Sequence, residues 1–207
     1  MRGVGQHFSA RRLTNRYTLM KKYKIIYADP PWQFKNYNDS TAMKWVGDYY
    51  GLMTTKDICE VRVSKIMDDN CILFIWGTWP KLPDCLDVIK AWGFAYKTIG
   101  FNWYKENMNG GLFFGMGYWT RSNTEYCLLA TKGHPKRINA SIFQVIRHSR
   151  LKHSKKPDAV RDKIVELVGD LPRIELFARQ KTEGWDVWGN EVESDESITK
   201  ALTGRAG

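Results

Sequence analysis

The run Tyr23-Lys24-Ile25-Ile26-Tyr27-Ala28 ends abruptly in Asp29-Pro30-Pro31-Trp32, and no other stretch of the chain limits the fold as tightly. An apolar run that stops at acid-Pro-Pro-aromatic reads as a buried strand whose carboxyl end becomes a rigid loop. Open α/β sheets bind their ligands at such places. Two successive prolines remove two backbone donors and fix two φ angles. The carbonyls around Asp29 and Pro30 are therefore expected to be held in place with no local N–H group competing for them. A carboxylate, a fixed carbonyl and an aromatic face suit a planar base carrying an NH2 group.

The chain after this loop alternates strand and helix signals. Residues 35–50 are polar and aromatic with no period and read as a loop able to close over a site. Thr54 or Thr55 can cap a helix over 56–67, followed by a buried strand over 70–76. Leu82, Cys85, Leu86 and Ile89 share one face of a helix over 81–92 that ends at Gly93. This order predicts a parallel sheet with crossovers. A β-rich segment over 94–105 then breaks into residues 109–117, where four glycines in nine residues predict a mobile loop without phosphate-loop spacing. Phe113, Phe114 and Trp119 are expected to pack rather than to stack on bases, because aromatic rings usually bury themselves. Further strands are predicted over 124–131, 173–178 and 185–188, with a helix opened by Pro157 at its first position and closed at Gly169. Lys156 then stands at a helix start, where it is placed to hold a carboxylate.

Composition narrows the function classes. At 207 residues and 43% hydrophobic the chain can bury one sizeable core. The expected organisation is a basic, flexible arm over 1–22, one domain over 23–192 and a disordered polar tail over 193–207. Cys59, Cys71, Cys85 and Cys127 lie far apart without metal-ligand spacing and read as reduced core residues, so no metal is expected. No apolar run approaches membrane-spanning length and no secretory signal opens the chain, which predicts a soluble, cytoplasmic protein. The net charge of +10 points to a polyanionic partner. Between Lys132 and Lys163, ten Lys or Arg residues face only Asp158 and Asp162, which reads as a phosphate-contacting surface that includes Lys152 and Lys155.

Asp29-Pro30-Pro31-Trp32 after a strand resembles the fingerprint of N6-adenine methyltransferases that use S-adenosylmethionine. Later landmarks follow in the order of the MT-A 70-kDa-subunit family, which holds the catalytic subunit of the eukaryotic messenger-RNA adenosine methyltransferase and many bacterial and phage DNA enzymes. Among them are Ile72-Leu73-Phe74-Ile75-Trp76, Asn102-Trp103-Tyr104-Lys105, Thr124-Glu125-Tyr126-Cys127-Leu128, Ser154-Lys155-Lys156-Pro157-Asp158, Glu175-Leu176-Phe177-Ala178-Arg179 and Trp188-Gly189-Asn190-Glu191. The resemblance spans roughly residues 23–192. It implies an α/β, Rossmann-like methyltransferase fold: a mostly parallel central sheet flanked by helices, with a permuted, β-class-like motif order.

The resemblance also implies roles. Asp29 and the Pro30 carbonyl would accept hydrogen bonds from the adenine amine, with Pro31 and Trp32 walling or stacking the base. Lys156 would meet the methionyl carboxylate or the active-site acid. Asp29, Leu176, Phe177 and Arg179 would contact S-adenosylmethionine, Asn190 and Glu191 would hold its ribose, and Glu125 would face the adenosine pocket. Ala178 stands where many relatives have Gly, and Gln180-Lys181-Thr182 lacks the His-Asn pair of the eukaryotic enzyme, so no cofactor contact is carried over there. The implied activity is methyl transfer to adenine N6 in DNA; the alternatives are the same transfer on RNA, or an inactive nucleic-acid-binding subunit of a methyltransferase complex. DNA is the expected partner, with room for a homodimer and no membrane.

Overall fold

Seven strands, β1 (Tyr23–Ala28), β2 (Met67–Gly77), β3 (Ala95–Glu106), β4 (Thr124–Lys132), β5 (Val145–Ser149), β6 (Arg173–Leu176) and β7 (Asp186–Trp188), form one sheet in the order β5-β3-β4-β2-β1-β6-β7. The computed structural model describes residues 20–33, 51–117, 119–150 and 155–204. Residues 1–19 of the basic arm expected over 1–22, the segment 35–50 read as a closing loop, and Lys152 lie outside them. β1 pairs in parallel with β2 and β6, β6 with β7, and β3 with β5; β4 runs antiparallel to both β2 and β3. Six strands thus share one direction. β4 is reversed because residues 107–123 return the chain beside β3 without a crossover helix.

Both faces of the sheet are covered, which explains why its central strands read as unbroken apolar runs rather than alternating ones. On one face Ile26, Ala28, Leu73, Ile75 and Leu128 pack against α1 (Thr55–Glu60), α2 (Leu82–Ala91) and α4 (Glu196–Thr203). On the other, Ile25, Tyr27, Phe74, Trp76 and Phe101 meet Val160, Ile164 and Val168 of α3 (Ala159–Val168). The Trp92 indole N–H donates to the Ile58 carbonyl at 2.9 Å and ties α2 to α1.

Several expected boundaries move. Of the two candidate caps it is Thr54 that caps α1, in a capping box in which its hydroxyl accepts from the Asp57 N–H, but the helix ends at Glu60 rather than 67. Val63–Lys65 form a 3-10 turn that buries Val63 and delivers Met67 to β2, so Val63 and Ile66 fill a tight corner instead of continuing the helix. α3 begins two residues after Pro157, whose carbonyl accepts the Val160 N–H at 3.1 Å. Lys21 and Lys22, placed in a flexible arm, are bonded to Asp186 and the Lys65 carbonyl. Residues 196–203, read as part of a disordered tail, form α4, capped by Asp195 and closed by Gly204 at φ 72°. Ile198, Ala201 and Leu202 are buried there, a periodicity that the polar composition of the tail conceals.

The glycine-rich loop also departs from expectation. Phe113 is half-buried, but Phe114 and Trp119 are 72% and 91% exposed, so they do not pack as expected.

Because six strands run together, their carboxyl ends and the amino end of β4 meet on one rim. Ala28 lies opposite Ile75 and Leu176, Leu176 opposite Trp188, and Tyr104 opposite Thr124. Docking of α4 closes the opposite face through the Arg62 N–H, which donates to the Leu202 carbonyl at 2.9 Å. Leu202 is fully buried, and Leu202→Ala is expected to cost about 2–5 kcal/mol. A thermal melt checks this: a variant that unfolds at the parent temperature would show that α4 does not dock.

Candidate active site

Lys156 lies just ahead of α3, and its ammonium donates to both carboxylate oxygens of Asp29 at 2.8 Å. It also stands 3.5 Å from Glu125 Oε2, while Glu125 Oε1 accepts from Lys105 Nζ at 2.5 Å. Asp29, Lys156, Glu125 and Lys105 thus alternate in sign along one half-buried row at the rim. The four side chains are between 11% and 20% exposed, so each charge depends on its neighbours for compensation. Burial alone pulls the Lys156 ammonium down, but Asp29 and then Glu125 outweigh it and hold the group above the usual lysine range. Burial pushes the Glu125 carboxyl up, and Lys156 and Lys105 together hold it below the usual range.

Aromatic rings and a second ion pair frame this row. Lys156 Nζ faces the Trp76 ring at 5.6 Å, and Lys105 Nζ faces Trp103 at 5.0 Å. The Trp76 indole donates to the Tyr27 hydroxyl at 2.7 Å. Below it, Arg161 forks onto both oxygens of Glu175 at 2.7 and 2.8 Å and reaches Asp158 at 2.7 Å. That fork pins the first turn of α3 to β6 and so fixes where Lys156 enters the rim.

The Asp-Pro-Pro-Trp loop is rigid for a partly different reason from the one its sequence suggests. The Pro30 carbonyl accepts the Trp32 N–H at 2.9 Å, so a local donor does compete for it, leaving one lone pair. The Pro31 carbonyl accepts from the Met53 N–H at 2.9 Å. Trp32 is 6% exposed and its indole N–H donates to the Trp76 carbonyl at 3.0 Å. Trp32 therefore clamps the loop to the end of β2 and is not open to a base; Pro31, half-buried, lines a cavity instead.

Two cavities, about 300 Å³ and 240 Å³, adjoin at the rim and share Asp29, Phe177, Arg179 and Glu191 in their walls. The larger is also lined by Lys155, Lys156 and Arg161, the smaller by Asn190 and Pro31. Phe177 adopts φ 61°, a left-handed conformation rare for a bulky residue, which turns the chain out of β6 and sets its ring against Trp188 at 5.4 Å. Arg179 Nε lies 3.8 Å from Glu191 Oε1. Leu176, expected beside a cofactor, is fully buried in the core and touches the site through its carbonyl, which accepts from the Asp29 N–H at 3.4 Å. Lys155 is held by Asp158 at 2.6 Å. Sequence reasoning assigned no role to Lys105, although a charge ending an apolar strand is the same signal that singled out Asp29. It also assigned none to Trp76, Arg161 or Glu175, whose parts emerge from contacts between strands.

This donor set fits a cationic, ribose-bearing amino acid cofactor. Acids stand by for the sulfonium and the ribose hydroxyls, cations for a carboxylate, and an aromatic ring for a purine. The combined volume also falls within the range of small-molecule sites.

A mostly parallel seven-stranded sheet with helices on both faces and an acid-Pro-Pro-aromatic rim is a Rossmann-like methyltransferase. The sequence profile of the MT-A70 family matches residues 23–191, and the chain belongs to that family of S-adenosylmethionine-dependent N6-adenine methyltransferases. It is 35% identical to the Type II methyltransferase M.MunI of a Mycoplasma species over 83% of this chain and 78% of that protein. It is 26% identical to an N(6)-adenosine-methyltransferase MT-A70-like protein of Drosophila melanogaster over 89% of this chain and 29% of that protein. For the N6-methyladenosine RNA methyltransferase MTA1 of Pyricularia oryzae the identity is 27%, over 82% of this chain and 47% of that protein. The chain thus spans less than half the length of the latter two.

The charge row makes stability depend on pH in a definite sense. Glu125, depressed in the fold, contributes stability that is present above the usual carboxylate range and lost as pH falls through its folded value. Lys156, raised in the fold, contributes stability that is present below the usual lysine range and lost as pH rises through its folded value. The unfolding free energy is therefore expected to fall below about pH 4 and above about pH 10.4. Glu125→Gln should flatten the acid limb in urea titrations at a series of pH values; an acid limb of parental steepness would remove Glu125 from the row.

Proposed function

We propose that this chain transfers a methyl group from S-adenosylmethionine to the N6 amine of adenine in DNA. The observation that carries the reading is the Asp29–Lys156 pair, held at the sheet rim beside two adjoining cavities. The exocyclic amine of adenine lends its lone pair to the ring and is a poor nucleophile. Asp29 accepts one of its hydrogens and the remaining lone pair of the Pro30 carbonyl accepts the other. The two acceptors draw the hydrogens out of the ring plane and localise the nitrogen lone pair.

When bound, the cofactor supplies a methyl group on a sulfonium, which leaves with the bond's electron pair as the nitrogen–carbon bond forms. Lys155, Lys156 and Arg179 offer cations to its carboxylate, and Asn190 and Glu191 offer partners to its ribose hydroxyls. Lys156 keeps the Asp29 oxygens oriented, and the surplus proton on the methylated nitrogen departs along the hydrogen bond to Asp29. The cavity walls exclude water from the line of attack.

The likeness to a Type II methyltransferase, which extends over most of both chains, weighs towards DNA. Likeness to an RNA methyltransferase favours a second reading, the same transfer on RNA. Incubation with methyl-labelled cofactor and matched DNA, RNA and adenine-free oligonucleotides separates them. Label in DNA alone is expected; label in RNA alone selects the second reading, equal label in the adenine-free strand ends both, and binding without any label identifies an inactive subunit. Asp29→Ala is expected to lower turnover about a hundredfold or more while leaving nucleic-acid binding intact. An unchanged methylation rate in that variant would refute the role given to Asp29.

A further inference from the structure

Residues 107–117 and 119–123 project aromatic rings from the rim that carries the Asp29–Lys156 pair. The stems of this hairpin are the strand ends that supply Lys105 and Glu125. The loop is built rather than loose. The Asn107 N–H donates to the Gly111 carbonyl and the Phe113 N–H to the Lys105 carbonyl, both at 3.0 Å, and Glu106 bridges to Leu112. Gly115 and Gly117 lie so close to the carbonyls of Ser122 and Thr120 that a Cβ at either position would collide. Glycine is required there to press the two arms together.

On that frame stand Phe114, Met116 and Trp119, exposed by 72%, 78% and 91%. Large apolar side chains exposed together on a constrained loop mark an interaction surface. Their electrostatic setting says which kind. The Arg121 guanidinium lies over Phe114 and that of Arg150 over Phe113, each 4.7 Å from the ring centroid. Between residues 107 and 157 the sequence carries nine Lys or Arg and a single acid, Glu125, which is already bonded to Lys105 inside the site. Aromatic rings, Met and Arg also occur in protein–protein contacts, but Lys is depleted there, and five of these nine cations are Lys. Exposed rings interleaved with guanidinium groups on a surface where cations outnumber acids, Glu106 being paired with Arg147 and Asp158 with Lys155, instead match an unpaired nucleic-acid strand, whose bases offer π-faces and whose phosphates need cations.

We propose that Phe114 and Trp119 form a stacking platform for the unpaired DNA bases flanking the target adenine. The identity of the target rests on the methyl-transfer reading above; the platform itself rests on the loop. It complements the charge row: the rim acts on one base while the hairpin holds its neighbours, and the rings read no sequence because every base has a π-face.

The test is an anisotropy titration of the full chain, without cofactor, against a labelled single-stranded oligonucleotide containing one adenine. A second strand has the bases flanking that adenine replaced by abasic sites. The parent is expected to bind the intact strand at least about tenfold more tightly, the scale of one to two stacked bases. Phe114→Ala with Trp119→Ala should erase that ratio while leaving the slope of affinity against salt, which counts phosphate contacts, as in the parent. Phe114→Leu with Trp119→Leu, which keeps apolar bulk but no ring, should behave like the alanine pair. Both residues are exposed, so the variants are expected to melt with the parent.

Equal binding of the two strands by the parent, or a ratio that survives the double alanine variant, overturns the proposal. So does sedimentation showing a dimer that the alanine pair splits and the leucine pair preserves, which would make the loop a contact between copies of the chain. Failure of the methyl-transfer reading looks different: no strand becomes labelled, yet the intact-to-abasic ratio and its loss in the variants remain.

Discussion

The pairing of Asp29 with Lys156 is the contact on which the rest of the rim depends. It joins residues 127 positions apart and brings the first strand and the start of α3 to a common point. A buried carboxylate and a buried ammonium each carry a large desolvation penalty, so neither is tolerable there without the other. Glu125 and Lys105 extend the same logic by one more pair. The row is neutral as a whole, which lets it persist in an apolar frame of Trp76 and Trp103. It still presents a carboxylate acceptor at the position where an amine needs it.

The sheet topology serves this row. Parallel strands deliver their carboxyl ends to one side, and side chains from five different elements converge there although no two adjacent elements in sequence supply them all. The Arg161–Glu175 fork and the Trp32 indole lie below the surface, and both members of the fork line the floor of the larger cavity. They set the angle of α3 and the position of the proline loop. Their removal would act through misplacement of Lys156 and Asp29, a route by which residues outside the chemistry govern its rate.

Much of this was legible in the sequence, because local rules and long-range packing agree along most of the chain. The apolar run ending at Asp29 is a strand that feeds a rigid loop, and the helix and strand order gives a mostly parallel sheet. Lys156 was read as the holder of a carboxylate, and it holds one. Other features depend on contacts that no local window contains. Trp32 looks like a base-stacking ring until Trp76, 44 residues on, offers its carbonyl. Lys105 becomes part of the site only because Glu125 is its diagonal neighbour across the β3–β4 pair. Phe114 and Trp119 break the usual rule that aromatic rings bury themselves, because the loop that carries them stands out from the core. α4 carries its own capping signal at Asp195, but its apolar face is narrow enough that a polar tail masks it.

The reversal of β4 has an effect that reaches beyond its own hydrogen bonds. In a wholly parallel sheet every excursion from the rim must pass through a crossover helix, and a change in its length would shift the packing of a whole layer. Here the two strands nearest the ionic row are joined by a hairpin whose stems are fixed by backbone pairing on both sides. Its tip can therefore vary in length and composition while Lys105 and Glu125 keep their register. The scaffold has, in effect, one interchangeable port beside its chemistry. New contacts with the surroundings of a target can be fitted there without retuning the groups that act on the target itself.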